Sequence, residues 1–219
     1  MSTIETSITN QAQKILLGCG ILSSVLYFAG DVVMSLTYEG YSYLHQTVSE
    51  LNAIGAPTRG LSIVFGLAGY VLLISFGVGI WMSSAGNRRL RVAGGVLVVL
   101  GVSGLWGVPF ASMQMRGTAQ EGLHLFSGIM GVLLLVTGIG FAAAAFDRPF
   151  RLYSIATILV MLVFAGWAGM DAGRIEAGLA TPWVGFKERI SFYSWHLWFI
   201  VLALILFRHR NLGRAVAYS

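Results

Sequence analysis

The chain has few charged residues, few prolines and one cysteine, and these shortages exclude several classes of protein. Only 11% of its 219 residues are charged while 56% are apolar, whereas the surface of a soluble domain needs about a quarter charged residues. The single cysteine, Cys19, excludes an internal disulfide. Such a composition is typical of a protein that lies in a lipid bilayer.

Long apolar segments take the place of the missing charge. Each holds roughly the 20 apolar residues that cross a hydrocarbon core of about 30 Å as a helix, and none alternates as barrel strands do. The predicted spans lie near Ile15–Leu36, Leu61–Ser83, Leu90–Ser112, Gly122–Phe146, Leu152–Ala172 and Ile190–Phe207. We therefore predict an all-α integral membrane bundle of six transmembrane helices, with residues 1–219 forming a single membrane domain.

Basic residues are concentrated in alternate connections, and this predicts the orientation, because cytoplasmic loops carry the excess of Lys and Arg. One side has Lys14, Arg88, Arg89, Arg91, Arg148, Arg151, Arg208, Arg210 and Arg214 against Glu5 and Asp147. The other has Arg59, Arg116, Arg174, Lys187 and Arg189 against Asp31, Glu39, Glu50, Glu121, Asp171, Glu176 and Glu188. We predict a plasma-membrane protein with both termini cytoplasmic. The net charge of +5 is then an orientation signal and indicates no nucleic-acid partner.

Small residues at helical spacing predict where the helices approach one another, since close backbone contact stabilises helix pairs in lipid. The candidates are Gly128, Gly131 and Gly138 on the fourth span and Gly166, Gly169 and Gly173 at the fifth.

Two connections on the predicted outer side carry helix-start signals. Thr47 and Glu50 form a capping-box pattern that predicts a short helix, after which residues 52–59 read as a turn into span two. Thr181 followed by Pro182 predicts an N-cap and a first helical position ahead of span six. Nearby aromatic residues are predicted interfacial anchors, namely Tyr38, Tyr41, Tyr43, Trp183, Trp195 and Trp198.

Ionisable residues near the outer ends of the spans are the candidates for function, because charge inside a membrane is costly. Asp31 lies about six residues, roughly 9 Å, inside span one, and His196 lies at a similar depth in span six. We expect an outward-facing polar pocket that gathers Asp31, His124, Asp171, Arg189 and His196. The full set of candidate ligand-binding residues is Asp31, Ser49, Glu50, Arg59, His124, Asp171, Arg174, Glu188, Arg189 and His196.

Structural roles explain several of these residues equally well. Asp31 is also expected to pair with Arg59, Arg174 or Arg189 in a structural network. Glu50 is explained as a helix cap by its spacing from Thr47. Asp171 and Arg174, three residues apart, are expected to form a local pair at a helix end. Glu188 and Arg189 fit either a surface ion pair or an inward structural role.

Three short motifs carry a resemblance to a known family. They are Ser49-Glu50-Leu51 through Gly55-Ala56-Pro57 to Arg59, then His124-Leu125-Phe126-Ser127-Gly128, then Glu188-Arg189-Ile190 followed by Tyr193 and Leu197-Trp198. Over nearly its whole length the chain resembles the bacterial and archaeal membrane family numbered 998 among the domains of unknown function. The resemblance implies a six-span membrane protein and no established activity. His45 and His196 are not part of the family pattern.

Three functions remain open. The preferred hypothesis is that the outer pocket binds a lipid or small amphiphile, with membrane lipids as partners and no cofactor. An intramembrane hydrolase acting at the outer leaflet is the alternative, in which His45, His124 and His196 ligate a metal or a histidine works with a carboxylate. A small-molecule transporter is the third, although Pro109 is the only proline within a predicted span, and broken transport helices usually carry paired proline or glycine breaks.

Overall fold

The computed structural model describes residues 3–120 and 122–217, with the side chains of residues 10–120 and 122–208. Its helices are α1 (Thr3–Thr37), a short 3-10 helix (Val48–Asn52), α2 (Arg59–Met82), α3 (Arg88–Phe110), α4 (Gly122–Ala143), α5 (Arg148–Gly169), α6 (Ala172–Glu176) and α7 (Val184–Ala217). Within the described residues, six helices are long and apolar enough to span a membrane, whereas the 3-10 helix and α6 have 5 residues each. The predicted all-α, six-span architecture is confirmed.

The helices extend beyond the predicted spans at several ends. α1 begins at Thr3 and α7 continues to Ala217, both well outside the apolar stretches. The apolar run reports the thickness of the bilayer, whereas backbone hydrogen bonding continues through polar flanks. α5 begins at Arg148 because the side chain of Asp147 accepts a hydrogen bond from the amide of Phe150, 3.4 Å away. Among the residues counted for orientation, the side chains of Glu5, Glu121, Arg210 and Arg214 lie outside the described part.

The spanning helices pack as a ring in the order α1, α2, α3, α4, α5 and α7, and α7 contacts α1 to close it. One hydrophobic cluster receives side chains from every spanning helix, including Leu17, Phe76, Leu97, Ile139, Met161 and Phe199. Of the contacts between neighbours in this ring, the one between α4 and α5 is the least extensive.

Glycines bring α2 and α3 together at a place the sequence reading did not select. A Cβ added at Gly77 would lie 2.8 Å from the carbonyl oxygen of Gly94, and one at Gly94 would lie 2.7 Å from that of Gly77. Of the predicted packing glycines, Gly138 lies near Leu97, but the other five have no atom within 4 Å of an added Cβ: Gly128, Gly131, Gly166, Gly169 and Gly173. The prediction is wrong for those five, because a small residue permits close approach without selecting a partner.

Three connections join into one layer at the end of the bundle predicted to be outer. We call this end of the bundle the acidic end, and we call the layer formed by residues 38–58, 111–120 and 170–183 the loop layer. Its segments are joined by backbone hydrogen bonds from Ile54 to Met113 (2.9 Å) and from Gly117 to Ile175 (3.0 Å). It has a small apolar core of its own, made of Ala53, Ala56, Met113, Ile175 and Val184. The opposite end, with both termini, is the basic end.

Candidate functional site

A buried ion pair joins the first and last spanning helices at the acidic end. Asp31 of α1 and Arg189 of α7 are only 1% and 3% exposed. The guanidinium donates from Nε to Oδ2 of Asp31 (2.9 Å) and from Nη2 to Oδ1 (2.8 Å), which is the two-pronged geometry that favours an Arg–carboxylate pair. Of the three arginines that the sequence offered as partners for Asp31, the structure selects Arg189.

The remaining donors of Arg189 hold the loop layer against α7. Its Nη1 group donates to the carbonyl oxygens of Tyr43 (2.6 Å), Gln46 (3.2 Å) and Gly185 (3.3 Å). Its Nη2 group also donates to the Tyr41 hydroxyl (2.9 Å), and its Cζ lies 3.6 Å from the centre of the Tyr43 ring. The guanidinium therefore has its hydrogen-bonding capacity filled by the protein itself.

Two tyrosine hydroxyls complete the surroundings of the Asp31 carboxylate. Tyr193 donates to Oδ2 at 2.6 Å and Tyr43 donates to the same atom at 3.2 Å, while the two hydroxyls lie 2.8 Å apart. Burial raises the pKa of the Tyr41 hydroxyl, which stays protonated and donates to the carbonyl oxygen of Thr47 at 2.7 Å. We call Asp31, Tyr41, Tyr43, Arg189 and Tyr193 the Asp31 cluster.

A second buried carboxylate links two segments of the loop layer. Glu50 and Thr47 form the predicted capping box, in which Oε2 of Glu50 accepts from the Thr47 amide at 2.7 Å. Arg116 then donates to Glu50 from Nε to Oε1 (2.8 Å) and from Nη2 to Oε2 (2.9 Å). Spacing alone predicted the cap, but the partner 66 residues away carried no sequence signal.

Glu188 of α7 receives the N-terminus of the short 3-10 helix. Its carboxylate accepts from the amides of Val48 and Ser49 and, at 2.8 Å, from the hydroxyl of Ser49. Free amides at the start of a helix favour a negative charge placed there. Glu188 and Arg189 therefore both point inward, and the structure supports the inward role over the surface ion pair.

Asp171 does not form its predicted pair with Arg174. Asp171 accepts from the ammonium of Lys187 at 2.7 Å, and that ammonium also lies 4.7 Å from the centre of the Trp167 ring. Arg174 instead donates from Nε to the carbonyl oxygen of Ala180 at 3.0 Å. The predicted Asp171–Arg174 pair is wrong, because α7 brings a cation from a distant part of the chain to Asp171.

The three candidate histidines lie in separate environments. Nδ1 of His124 lies 2.9 Å from the carbonyl oxygen of Ala111, and Nδ1 of His45 accepts from the Trp183 amide at 3.1 Å. His196 is buried and stacks between the rings of Tyr27 and Trp195, with centroids 4.1 and 3.8 Å away. No group of three metal-ligating side chains occurs within the described residues, so the candidate ligands His45, His124 and His196 do not converge.

The expected pocket of Asp31, His124, Asp171, Arg189 and His196 is therefore not formed. Only Asp31 and Arg189 meet. Arg59 also turns away from the cluster and donates to the carbonyl oxygen of Pro109 at 3.0 Å. Polar residues of α1 and α7 do face each other, since the Ser24 hydroxyl donates to the carbonyl oxygen of His196 at 2.9 Å, but these residues fill the space between the two helices and, within the described part of the chain, leave no pocket there.

The start of α7 is also different from its prediction. The helix begins at Val184, and Trp183 has a φ of 65°, which is incompatible with a helical first turn at Pro182. Thr181 donates its hydroxyl to the carbonyl oxygen of His45 at 3.0 Å instead of capping a helix. Thr181 and His45 together fix this turn against the first connection.

The predicted set of ligand-binding residues did not include Tyr41, Tyr43, Tyr193 and Arg116, although each contacts Asp31, Glu50 or Arg189. Tyr41 and Tyr43 were predicted to be interfacial anchors, yet both contact the buried Arg189. Their position within six residues of the end of α1, which carries the buried Asp31, was the available signal. Arg116 was counted among the basic residues of the predicted outer side.

A different kind of region lies between α4 and α5. Leu125, Val132 and Ile139 recur every seven residues and share one face of α4. Ile139 is fully buried, Val132 is partly buried, and Leu125 is 65% exposed. The face that packs into the core near the basic end is thus open near the acidic end, and we call this gap the α4–α5 opening.

The loop layer closes the top of the α4–α5 opening. Residues 116–120 lead into α4 and residues 170–174 follow α5, and these segments meet where Gly117 donates to the carbonyl oxygen of Ile175. The Nη groups of Arg174 have no hydrogen-bond partner within the described residues. Arg174, in the segment that follows α5, thus carries N–H donors at the acidic end of the bundle, where Leu125 of α4 is exposed.

Comparison with known proteins places the chain in a family. Residues 21–205 match the family described as protein of unknown function, DUF998. The match covers most of the chain, which therefore belongs to this family of multi-pass membrane proteins. No curated protein and no solved structure matches it.

Proposed function

We propose that this member of the DUF998 family binds a lipid or other small amphiphile, which enters from the membrane through the α4–α5 opening beneath the loop layer. The observation that carries the proposal is the change along one face of α4 from the buried Ile139 to the exposed Leu125. An exposed interior face next to lipid is suited to an acyl chain, since chain and side chains have the same apolar character.

The proposed ligand lies away from the polar residues that first suggested a pocket. Asp31 and Arg189 have their donors and acceptors occupied by protein groups, so a ligand would have to displace buried hydrogen bonds to reach them. The separation of the histidines likewise removes the support for a histidine-dependent hydrolase. Amphiphile binding needs no such rearrangement.

The walls and rim of the α4–α5 opening match the two parts of an amphiphile. Leu125 and Ile129 of α4 and Leu162 of α5 are exposed apolar side chains. Leu162 is on the α5 face that continues from Ile155 and Ile158 by helical spacing. Arg174 at the rim supplies free N–H groups for a phosphate, carboxylate or other polar head.

Filling the opening tests the proposal. Leu125→Trp is expected to reduce the amount of amphiphile that remains bound to the purified protein after delipidation by about tenfold, because the indole occupies the place of the chain. Native mass spectrometry of the full-length protein measures the bound fraction. Leu204→Trp is the matched control, since Leu204 is a similarly exposed leucine on α7. Equal retention in both variants, or no retained amphiphile in the unmodified protein, would contradict the proposal.

We further propose that the protein lies in the plasma membrane with both termini cytoplasmic. The support is the excess of basic residues in the connections at the basic end. Reporter domains fused after Arg91 are expected to be active on the cytoplasmic side and those fused after Arg174 on the opposite side. The reverse pattern would overturn this orientation.

A further inference from the structure

A cavity lies between α4 and α5 at the basic end, whereas the α4–α5 opening lies at the acidic end of the same boundary. Its volume is about 480 Å³, and it opens between the C-terminus of α4 and the N-terminus of α5. Its lining residues are Arg89, Gly140, Ala143, Ala144, Arg151, Ile155 and Ile158. Two arginines and five apolar or small residues thus share one groove.

The two arginines place positive charge at the mouth of the groove. Arg89 donates from Nη1 to the carbonyl oxygen of Ala144 at 2.7 Å, and Arg151 donates from Nε to that of Ala143 at 3.4 Å. Neither arginine forms an ion pair within the described residues. Asp147, the nearest acid in sequence, uses its side chain to cap the amide of Phe150. Both guanidinium groups keep N–H donors for an outside anion.

The groove becomes apolar with distance from its mouth. Ile155 and Ile158 lie one and two turns further into α5 than Arg151. A second cavity of about 310 Å³ shares Gly140 and Ala144 with the first and reaches Thr137 and Phe141. Ala144 and Thr137 are about 10 Å apart along the helix axis. The small residues of α4 therefore form the floor of a trough that runs from the charged mouth toward the middle of the bilayer.

We infer that this groove is a binding site for one anionic phospholipid, whose phosphate lies between Arg89 and Arg151 and whose acyl chain follows the trough over Gly140 and Phe141. Basic pockets between transmembrane helices are suited to anionic headgroups. Charge complementarity selects an anionic lipid over a zwitterionic one, because a choline group would lie beside two arginines. The apolar trough selects a lipid over free phosphate. The inference is independent of the proposed function, whose ligand enters at the opposite end.

Two pairs of arginines, one that lines the groove and one outside it, allow a matched test. The delipidated full-length protein in detergent is titrated with phosphatidylglycerol and with phosphatidylcholine, and bound lipid is counted by native mass spectrometry. We expect one phosphatidylglycerol to bind at least about tenfold more tightly than phosphatidylcholine. Arg89→Gln with Arg151→Gln should weaken phosphatidylglycerol binding by about 20-fold. Arg88→Gln with Arg148→Gln removes the same charge from exposed residues outside both cavities and should change it by less than about twofold.

The inference would be overturned by equal affinity for the two lipids, by equal loss in the two double variants, or by displacement of phosphatidylglycerol by millimolar inorganic phosphate. The last would assign the arginines to free anions. Arg89→Lys with Arg151→Lys guards against misfolding, because it keeps the charge while changing the helix contacts. This variant should keep the preference for phosphatidylglycerol over phosphatidylcholine, and loss of that preference in a protein with an unchanged melting temperature also contradicts the site.

Discussion

The contacts of α1 with α7 and of α4 with α5 close the same ring of helices in opposite ways. Between α1 and α7, the Asp31 cluster and the stripe of Ser24, Tyr27 and His196 fill the space with polar and aromatic contacts. Between α4 and α5, the contact is the least extensive in the ring, and Leu125 near the acidic end is exposed. Specific hydrogen bonds and ring contacts close the α1–α7 boundary, whereas the α4–α5 boundary has exposed apolar side chains near the acidic end.

This difference follows from the solvent. In a bilayer, apolar side chains gain little by leaving lipid for another helix, so association depends on polar contacts and close backbone packing. α1 and α7 have the first, and α2 and α3 have the second at Gly77 and Gly94. The acidic-end half of the α4–α5 boundary has neither among the described residues, and it is where we propose that a ligand enters the ring.

Disrupting the contact between α1 and α7 should have the largest effect on the free energy of unfolding. Asp31→Asn leaves the buried Arg189 without its counter-charge, and such a loss costs about 3–5 kcal/mol of unfolding free energy. Thermal unfolding in detergent, followed by circular dichroism, measures it. Glu39→Gln removes the same charge from an exposed residue of the loop layer and should change stability by less than about 0.5 kcal/mol. Equal melting temperatures would mean that the Asp31 pair does not hold the bundle closed.

The open boundary should show a gradient along α4. Leu135→Ala removes a side chain that is 5% exposed and should cost about 2–5 kcal/mol through lost packing and a cavity. Leu125→Ala, the same change ten residues nearer the acidic end, should cost less than about 1 kcal/mol because little packs against it. Unfolding of both variants under identical conditions compares the two halves. A cost at Leu125 as large as that at Leu135 would show that the opening is filled by protein.

A smaller contrast is expected at two glycines. A Cβ at Gly185 would lie 2.5 Å from the carbonyl oxygen of Tyr43, so Gly185→Ala should cost about 1–3 kcal/mol by forcing the loop layer from α7. Gly166 of α5 has no atom within 4 Å of an added Cβ, and Gly166→Ala should be neutral or stabilising by up to about 1 kcal/mol. Both values come from the same unfolding measurements. If both substitutions are neutral, the loop layer yields more easily than its hydrogen bonds indicate.

The number of spans, the all-α class and the capping box of Thr47 and Glu50 could be predicted from sequence because each depends on local information. Helix length, apolar composition and a spacing of three residues are sufficient for them. The partners of Glu50 and Asp171 were not predicted, since Arg116 is 66 residues from Glu50 and Lys187 reaches Asp171 from α7. For Asp31 the sequence narrowed the partner to three arginines that include Arg189, without selecting one of them. Several arginines offered the same charge at a similar depth, and only the packing of the ring distinguishes them.

The sequence also indicated the wrong kind of site. Ionisable residues near the span ends suggested an open polar pocket. However, a buried charge in a membrane protein is stable only when protein groups pair with it and satisfy its hydrogen bonds. The ionisable residues that the sequence suggested for a functional site are therefore the ones that hold the helices and the loop layer together. The α4–α5 opening is made of leucine, isoleucine and glycine. The same residue types form the ordinary lipid-facing surface, so the sequence does not distinguish the two.

The long sequence separation of the Asp31 cluster imposes an order on the biogenesis of the protein. Asp31 and Arg189 are 158 residues apart, which a ribosome covers in about 8 to 30 s. Throughout that interval the first helix carries a carboxylate without its arginine, and the first connection lacks the Glu188 carboxylate that receives its 3-10 helix. Final closure therefore awaits insertion of the last helix. A chain truncated before α7 would leave the Asp31 carboxylate of α1 without its arginine partner.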